Sequence, residues 1–273
     1  MEYVLSLWTL ITMGVNLLMA VVVPIVLYAV FRGKFEGDNR AFLAGCSTMI
    51  AIGLVVQMLI NYFFLPTAVG QFIYSRPWLY ALFMGLVAAL IHEPGRYLCI
   101  KLFLRDEIWN DHNALIFGAG YGSVSILASA LMSTLVNFLM VRMILSGQVD
   151  YYLENLTGDG LAAAKDALTT LCNTPASTYL LYTVEQLLVI ADNIALSVLI
   201  WFAVQGGPKR RSYLLMAMAV NFLLQCLVIG AKCYASSFSM VQVFHGLLTV
   251  AVIYVAAGVW KKEYKPLDTE VQD

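Results

Sequence analysis

Charge is what this sequence has least of. Only 12% of its 273 residues are Asp, Glu, Lys or Arg, about half the ~25% of a soluble domain. No basic run is long enough to track a phosphate backbone, and a net charge of −1 supplies no general attraction to one, so nucleic acid is excluded as a partner. The five cysteines, Cys46, Cys99, Cys172, Cys226 and Cys233, show no C-x-x-C spacing. Cys46, Cys99 and Cys226 lie inside apolar runs, where cysteine acts as a small hydrophobe, which argues against a disulfide framework. No basic region precedes the first apolar run. That run, 3–31, is longer than the ~7–15 residues of a signal-peptide core and reads as a retained first span. Internal repeats, low-complexity stretches and linkers are missing too.

What is present is apolar. Hydrophobic residues make up 61% of the chain, and the mean hydropathy is +0.79. The excess falls in long runs divided by short polar loops, the pattern of a membrane protein. Only helices or closed barrels satisfy their backbone in lipid, and these runs are too long for barrel strands. The fold class is therefore all-α, a polytopic transmembrane bundle. Seven spans are predicted, at 4–31, 41–64, 78–104, 114–145, 178–204, 212–231 and 239–260. They form a single transmembrane domain over 1–260, followed by a short tail, 261–273. Eleven of the 16 Lys and Arg fall in the loops of one side and three in those of the other, while Arg96 and Arg142 lie within spans. That bias sets the N-terminus outside and the C-terminus in the cytoplasm. The outer loop 146–177 carries Leu161–Leu171, a candidate interfacial helix with Asp159 as its cap. The formal sequon Asn155-Leu156-Thr157 would carry no weight in a bacterial protein, and the expected location is a bacterial cell membrane.

A few polar residues interrupt the spans. An ionisable side chain at membrane depth costs about 2.5–3.5 kcal/mol on the insertion scale, so each needs a partner or a purpose. The third span holds His92-Glu93-Pro94-Gly95-Arg96. This is one residue away from the zinc-protease motif H-E-x-x-H, in which two histidines a turn apart bind the metal. Arg96 stands where the second histidine belongs, and a guanidinium has no lone pair for a metal. Glu93 and Arg96, three residues apart, are placed to neutralise each other. Pro94 lacks an N–H and kinks the helix near Leu90. The fourth span carries Gly118-Ala119-Gly120-Tyr121-Gly122, followed by Ser125, Ser129 and Ser133. That small-residue face suits close helix packing, with Tyr121 and Ser125 one turn apart. On the fifth span Glu185 and Asp192 share a face, two turns apart, with Gln186 and Asn193 beside them. Arg96 and Arg142 are the cations of the right type to pair with them. Asn221 and Gln225 mark the sixth span and His245 the seventh, where each can bond neighbouring helices. His112, in the third loop, reads as solvated.

The order of these pieces resembles the YhfC family of intramembrane metalloproteases, grouped with the CAAX-prenyl and PrsW-type proteases, over most of the chain. In that pattern one span carries E-E-x-x-R, the next begins G-x-G-H-G-x-x-E, and two later spans supply histidines or an asparagine. Glu93 and Arg96 match the first motif, and Gly118, Gly120 and Gly122 match the glycine frame. Asn193-Ile194-Ala195-Leu196-Ser197 looks like the family's H-x-A-L-S, and Asn221 falls where a later histidine often stands. The departures are His92 for the first glutamate, Tyr121 for the histidine, Ser125 for the next glutamate, and asparagines at 193 and 221. The resemblance implies a helical fold with a protease-like polar centre. The seven-span scaffold subunit of gamma-secretase resembles the same proteases, shares the N-out, C-in layout and works by holding partner helices.

The reading is a membrane protein with a degenerate catalytic motif that binds a membrane peptide, helix or lipid. It needs no metal and no cofactor, and its partners are the bilayer and such a guest. Arg96, Tyr121, Ser125, Glu185, Asp192, Asn193 and Asn221 would line the cavity, with His92 and Glu93 as the catalytic candidates. Two alternatives stand beside it. One is an active zinc protease drawing ligands from His92, Glu93, Asp192 and His245. The other is a transporter relaying charge through Asp192, Glu185 and Arg96.

Overall fold

The computed structural model describes residues 3–206 and 208–264, leaving aside the side chains at 134, 135, 208 and 209. Of the expected tail, positions from 265 on, including Lys265, lie outside the described residues, as do Met1 and Glu2. Seven described helices are long and apolar enough to cross a membrane: Leu7–Phe35, Asn39–Phe64, Pro77–Phe103, Asn113–Leu145, Ala176–Val204, Arg210–Tyr234 and Phe238–Glu263. They match the seven predicted spans to within a few residues and are numbered one to seven here. No strand occurs among the described residues. Shorter helices, Ala68–Tyr74, Val149–Glu154 and Gly158–Asn173, fill two of the loops. Large apolar side chains such as Ile25, Leu43, Met58, Leu98, Leu215, Leu247 and Tyr254 face outward. A soluble monomer rarely exposes so much apolar surface; in a bilayer it meets acyl chains.

The chain packs as two compact units: Met1–Val22 with Leu127–Gln186, and Val23–Ile126 with Leu187–Asp273. In the first, Met13, Val141, Leu171 and Tyr179 form a buried cluster, and Asn16 Nδ2 donates to Thr183 Oγ1 at 3.2 Å. The loop helix predicted at Leu161–Leu171 is longer, Gly158–Asn173, and buries Leu168 and Leu171. Asp159 is not its cap. It sits in the first turn behind Thr157, where its charge still favours the positive end of the helix dipole.

In the second unit the fifth span is the central rod. Every side chain from Ala195 to Ala203 is buried, as expected of a helix apolar all round and enclosed by others. Glycine lets the fourth span approach its neighbours. A Cβ on Gly118 would come within 2.5 Å of Ile194 Cα on the fifth span, and one on Gly120 within 2.2 Å of Phe42 O on the second. Gly45 answers from the second span, where a Cβ would reach Phe117 O at 2.1 Å. The packing face read from the glycine spacing is thus two faces: Gly118 and Gly122 against the fifth span, Gly120 against the second.

The third span breaks where Pro94 predicts. Ala88–His92 forms a widened π turn in which the N–H of Glu93 reaches back to Ala88 O. A proline ring clashes with the carbonyl four residues before it, and the extra residue in the turn relieves that clash. The regular helix resumes over Glu93–Phe103. The π turn rotates His92 and Glu93 relative to a continuous helix, which sets up the polar centre.

Candidate functional site

Glu93 and Arg96 are 0% and 2% exposed, sealed inside the second unit. Their ion pair forms at 3.8 Å, Arg96 Nε to Glu93 Oε1. Each also reaches a different span. Arg96 donates through Nη1 to Asn193 O at 3.3 Å and Ser197 Oγ at 3.4 Å on the fifth span, and through Nη2 to Asn193 Oδ1. Asn193 Nδ2 in turn donates to Val189 O at 2.8 Å, fixing the amide's orientation. Glu93 Oε1 accepts from Asn221 Nδ2 on the sixth span at 2.6 Å. Tyr121, on the fourth, lays its ring 3.8 Å from the Arg96 guanidinium carbon, a cation–π contact strengthened by burial. The Tyr121 hydroxyl shares a 2.7 Å hydrogen bond with His92 Nδ1.

His92, Glu93, Arg96, Tyr121, Asn193 and Asn221 therefore converge on one centre drawn from four spans. Three of its buried atoms have no hydrogen-bond partner: Glu93 Oε2, Asn221 Oδ1 and Arg96 Nε. Ser125 is half-buried and forms none of these bonds. Ser197 belongs to the centre though no motif reading singled it out as a site. Its signal was its place four residues after Asn193, on the same helix face.

Asp192 is buried as expected, but its partner is not an arginine. His245 Nε2 on the seventh span meets Asp192 Oδ2 at 2.8 Å. Consecutive residues on a helix point about 100° apart, so Asn193 takes Arg96 while Asp192 turns to another neighbour. Glu185 is half-buried in the first unit, and Arg142 is exposed there.

His112 is not a solvated loop residue. It is half-buried, stacked 5.0 Å from Phe35 and set beside Trp260 and Tyr264 at 5.7 and 5.3 Å. Burial lowers its pKa, against opposing pulls from Asp111 and Glu36. The loop around it is tied down by side chains. Asn110 Nδ2 donates to Glu36 O and Asn113 Nδ2 to Glu107 O. Asp111 accepts from Trp201 Nε1 and Gln205 Nε2. Arg210 pairs with Glu263 at 2.9 Å.

Fold and centre together define a polytopic helical membrane protein with a buried, multi-span polar core. The model of the YhfC intramembrane metalloprotease family matches residues 19–254, and the chain belongs to that family. It is 27% identical over 206 residues to the uncharacterized membrane protein YhfC of Bacillus subtilis (strain 168), covering 75% of this chain and 78% of that one. No solved structure matches.

The family's name implies a metal, which the donor set here does not fit. A catalytic zinc takes three protein ligands, normally His, Asp, Glu or Cys. No group of three or more such side chains is placed to hold an ion among the described residues. At the centre the surroundings of Glu93 are Arg96 and Asn221, a cation and an amide, and the one imidazole nearby, His92, has its Nδ1 bonded to Tyr121. Asp192 and His245 supply two ligands and no third. What the centre can do is bind through hydrogen bonds: two acceptors and one donor in it have no hydrogen-bond partner.

Proposed function

We propose that this YhfC-family protein is a non-proteolytic member that binds a membrane peptide or helix at its polar centre. One observation carries the reading. The family positions converge, yet they are bonded to one another through an arginine, a tyrosine and two asparagines rather than arranged as metal ligands. Of the atoms without a hydrogen-bond partner, Arg96 Nε suits the C=O of a backbone amide, and Glu93 Oε2 or Asn221 Oδ1 suits its N–H. His92, half-buried, marks the edge from which a guest reaches the centre. The surrounding bilayer is the bacterial cell membrane, with the N-terminus outside and the C-terminus inside, in keeping with the Lys and Arg bias and with the Bacillus relative.

The test is purification in mild detergent followed by metal analysis and a transmembrane-reporter cleavage assay. Sub-stoichiometric zinc and no cleavage are expected, with crosslinking to a membrane peptide from a photoreactive group placed at His92. Stoichiometric zinc that is lost in His92→Ala, together with reporter cleavage, would overturn the reading in favour of a protease with an unusual ligand set.

A further inference from the structure

The loop between the second and third spans is tied down by its own side chains. Phe64 ends the second span and Pro77 opens the third. Between them Thr67 starts the short helix Ala68–Tyr74, its hydroxyl accepting from the N–H of Gly70 at 3.0 Å. Gln71 Nε2 donates back to Leu65 O at 2.9 Å. Gly70 is buried where a Cβ would collide with Phe64 O. Phe64 stacks on Phe83 at 4.9 Å, and Tyr74 meets Tyr80 edge-on at 5.4 Å, so both ends of the loop are held to the third span.

This ordered loop nevertheless exposes apolar side chains. Val69, Phe72, Tyr74 and Trp78 are each more than half exposed. Arg76 is the only Asp, Glu, Lys or Arg between Arg40 and Glu93. The loop helix Gly158–Asn173 differs: it exposes Asp159, Lys165 and Asp166, as a hydrated helix does. Water is a poor solvent for the face at 68–78, and the place of the loop supplies a better one. The second and third spans have 26 and 27 residues. That is about 40 Å of helix against a hydrocarbon core of about 30 Å, so the last turns reach the headgroup layer. Tyr62 and Phe63, in the last turn of the second span, are more than half exposed as well. The face of the loop therefore continues the lipid-facing surface at the depth where Tyr and Trp anchor membrane helices.

Arg76 lies folded onto this face. Its guanidinium carbon is 3.6 Å from the centre of the Phe72 ring, and Nη1 donates to Phe72 O at 3.2 Å. No carboxylate pairs with it among the described residues. A guanidinium laid flat on a ring keeps edge donors for a two-pronged bond to a phosphate.

We propose that the segment 68–78 is a docking surface for membrane phospholipid. Val69, Phe72, Tyr74 and Trp78 sink into the boundary between acyl chains and headgroups, and Arg76 binds the lipid phosphate while its stem stays in the apolar layer. A protein partner would have to bring a carboxylate or bury a lone arginine; a lipid leaflet presents phosphate at that depth throughout.

Two measurements on the full chain test this. In vesicles, the emission gained in Phe72→Trp and the emission lost in Trp78→Phe isolate two points on the face, and tryptophan at 72 keeps a ring for Arg76. Both signals should be quenched more by phospholipid brominated near the headgroup end of its acyl chains than by acrylamide in the water. Stronger quenching by acrylamide would mean a hydrated loop, and quenching by neither would mean cover by protein, such as a second copy; either overturns the proposal. In detergent, the melting temperature is followed against added phosphatidylglycerol. Arg76→Gln should raise the half-effective lipid concentration about fivefold, the worth of one arginine at an anionic lipid surface. Arg76→Lys, which keeps the charge but not the fork, should fall between. Identical lipid dependence in the wild type and both variants would overturn the phosphate contact. Neither measurement depends on what the family centre binds or cleaves.

Discussion

Removing the charge of Glu93 without its shape isolates what the buried ion pair contributes. Glu93→Gln keeps an oxygen able to accept from Asn221 Nδ2, the 2.6 Å bond now made by the carboxylate, so the lost quantity is electrostatic. At the observed 3.8 Å, an effective dielectric of 20 makes the attraction worth ~4 kcal/mol. That matches the ~3–5 kcal/mol typical when one partner of a buried pair is removed and the other is stranded. Arg96→Met should cost at least as much, since it also strips the bonds to Asn193 and Ser197. The double variant leaves no stranded charge, so its cost should fall short of the sum by about 3 kcal/mol, near the upper end for residues in contact. Equilibrium unfolding in mixed micelles with increasing sodium dodecyl sulfate measures all four corners of the cycle, with the buried Trp201 among the fluorescent reporters. Single costs below about 1 kcal/mol that simply add would refute the reasoning, because such values belong to hydrated surface pairs.

Three further outcomes are expected in the same unfolding assay. Gly120→Ala should destabilise by more than the ~1–3 kcal/mol of ordinary overpacking, since its Cβ meets the rigid Phe42 carbonyl at 2.2 Å. Gly230→Ala has open space and should be neutral or gain up to ~1 kcal/mol of helix propensity; equal effects at the two positions would remove the close-approach argument. Tyr121→Phe should cost about 1 kcal/mol for the His92 hydrogen bond while keeping the ring on Arg96. Tyr121→Leu should cost roughly 2 kcal/mol more as the cation–π contact goes, and matching losses would show that the ring face contributes nothing. His112 has a pKa lowered by burial, so below about pH 6.5 the unfolded chain binds a proton that the folded chain resists. Its contribution is intact above that pH and declines beneath it, and His112→Asn should flatten that part of the melting-temperature profile between pH 7.5 and 5.5. An unchanged slope in the variant would show that His112 is not its source.

The spans were legible because crossing a bilayer demands about 20 apolar residues in a row, and that demand leaves its mark whatever packs beside it. The pairing of Glu93 with Arg96 was legible for a local reason, their three-residue separation on one helix. The partner of Asp192 was not. It depends on how the fifth span is rotated against the seventh, and rotation is set by packing rather than by the composition of either helix. Ser197, quoted only as the end of the motif Asn193–Ser197, was not assigned to the site because serine and threonine in a membrane helix usually bond their own backbone, as Thr48 does to Ala44 O at 2.7 Å. His112 was misread as solvated because its stacking partners come from the ends of the first and seventh spans, Phe35 and Trp260 with Tyr264, far from it in sequence.

A sealed ion pair is a poor source of net stability, and apolar residues of equal volume often do as well. What Glu93 and Arg96 add is direction. Apolar helices in lipid have little to choose between one rotation and the next, because acyl chains solvate leucine as well as leucine does. Arg96 bonds the fifth span at three acceptors and Glu93 bonds the sixth at one, while the Tyr121 ring holds the guanidinium from the fourth. The kink before Pro94 is what turns both charged residues to face these neighbours. A centre built this way fixes the register of four helices whether or not a metal ever occupies it. On the binding reading, that register is what places Glu93 Oε2, Asn221 Oδ1 and Arg96 Nε for a guest amide. Hence the same two residues hold the scaffold in shape and supply two of its three atoms without a hydrogen-bond partner.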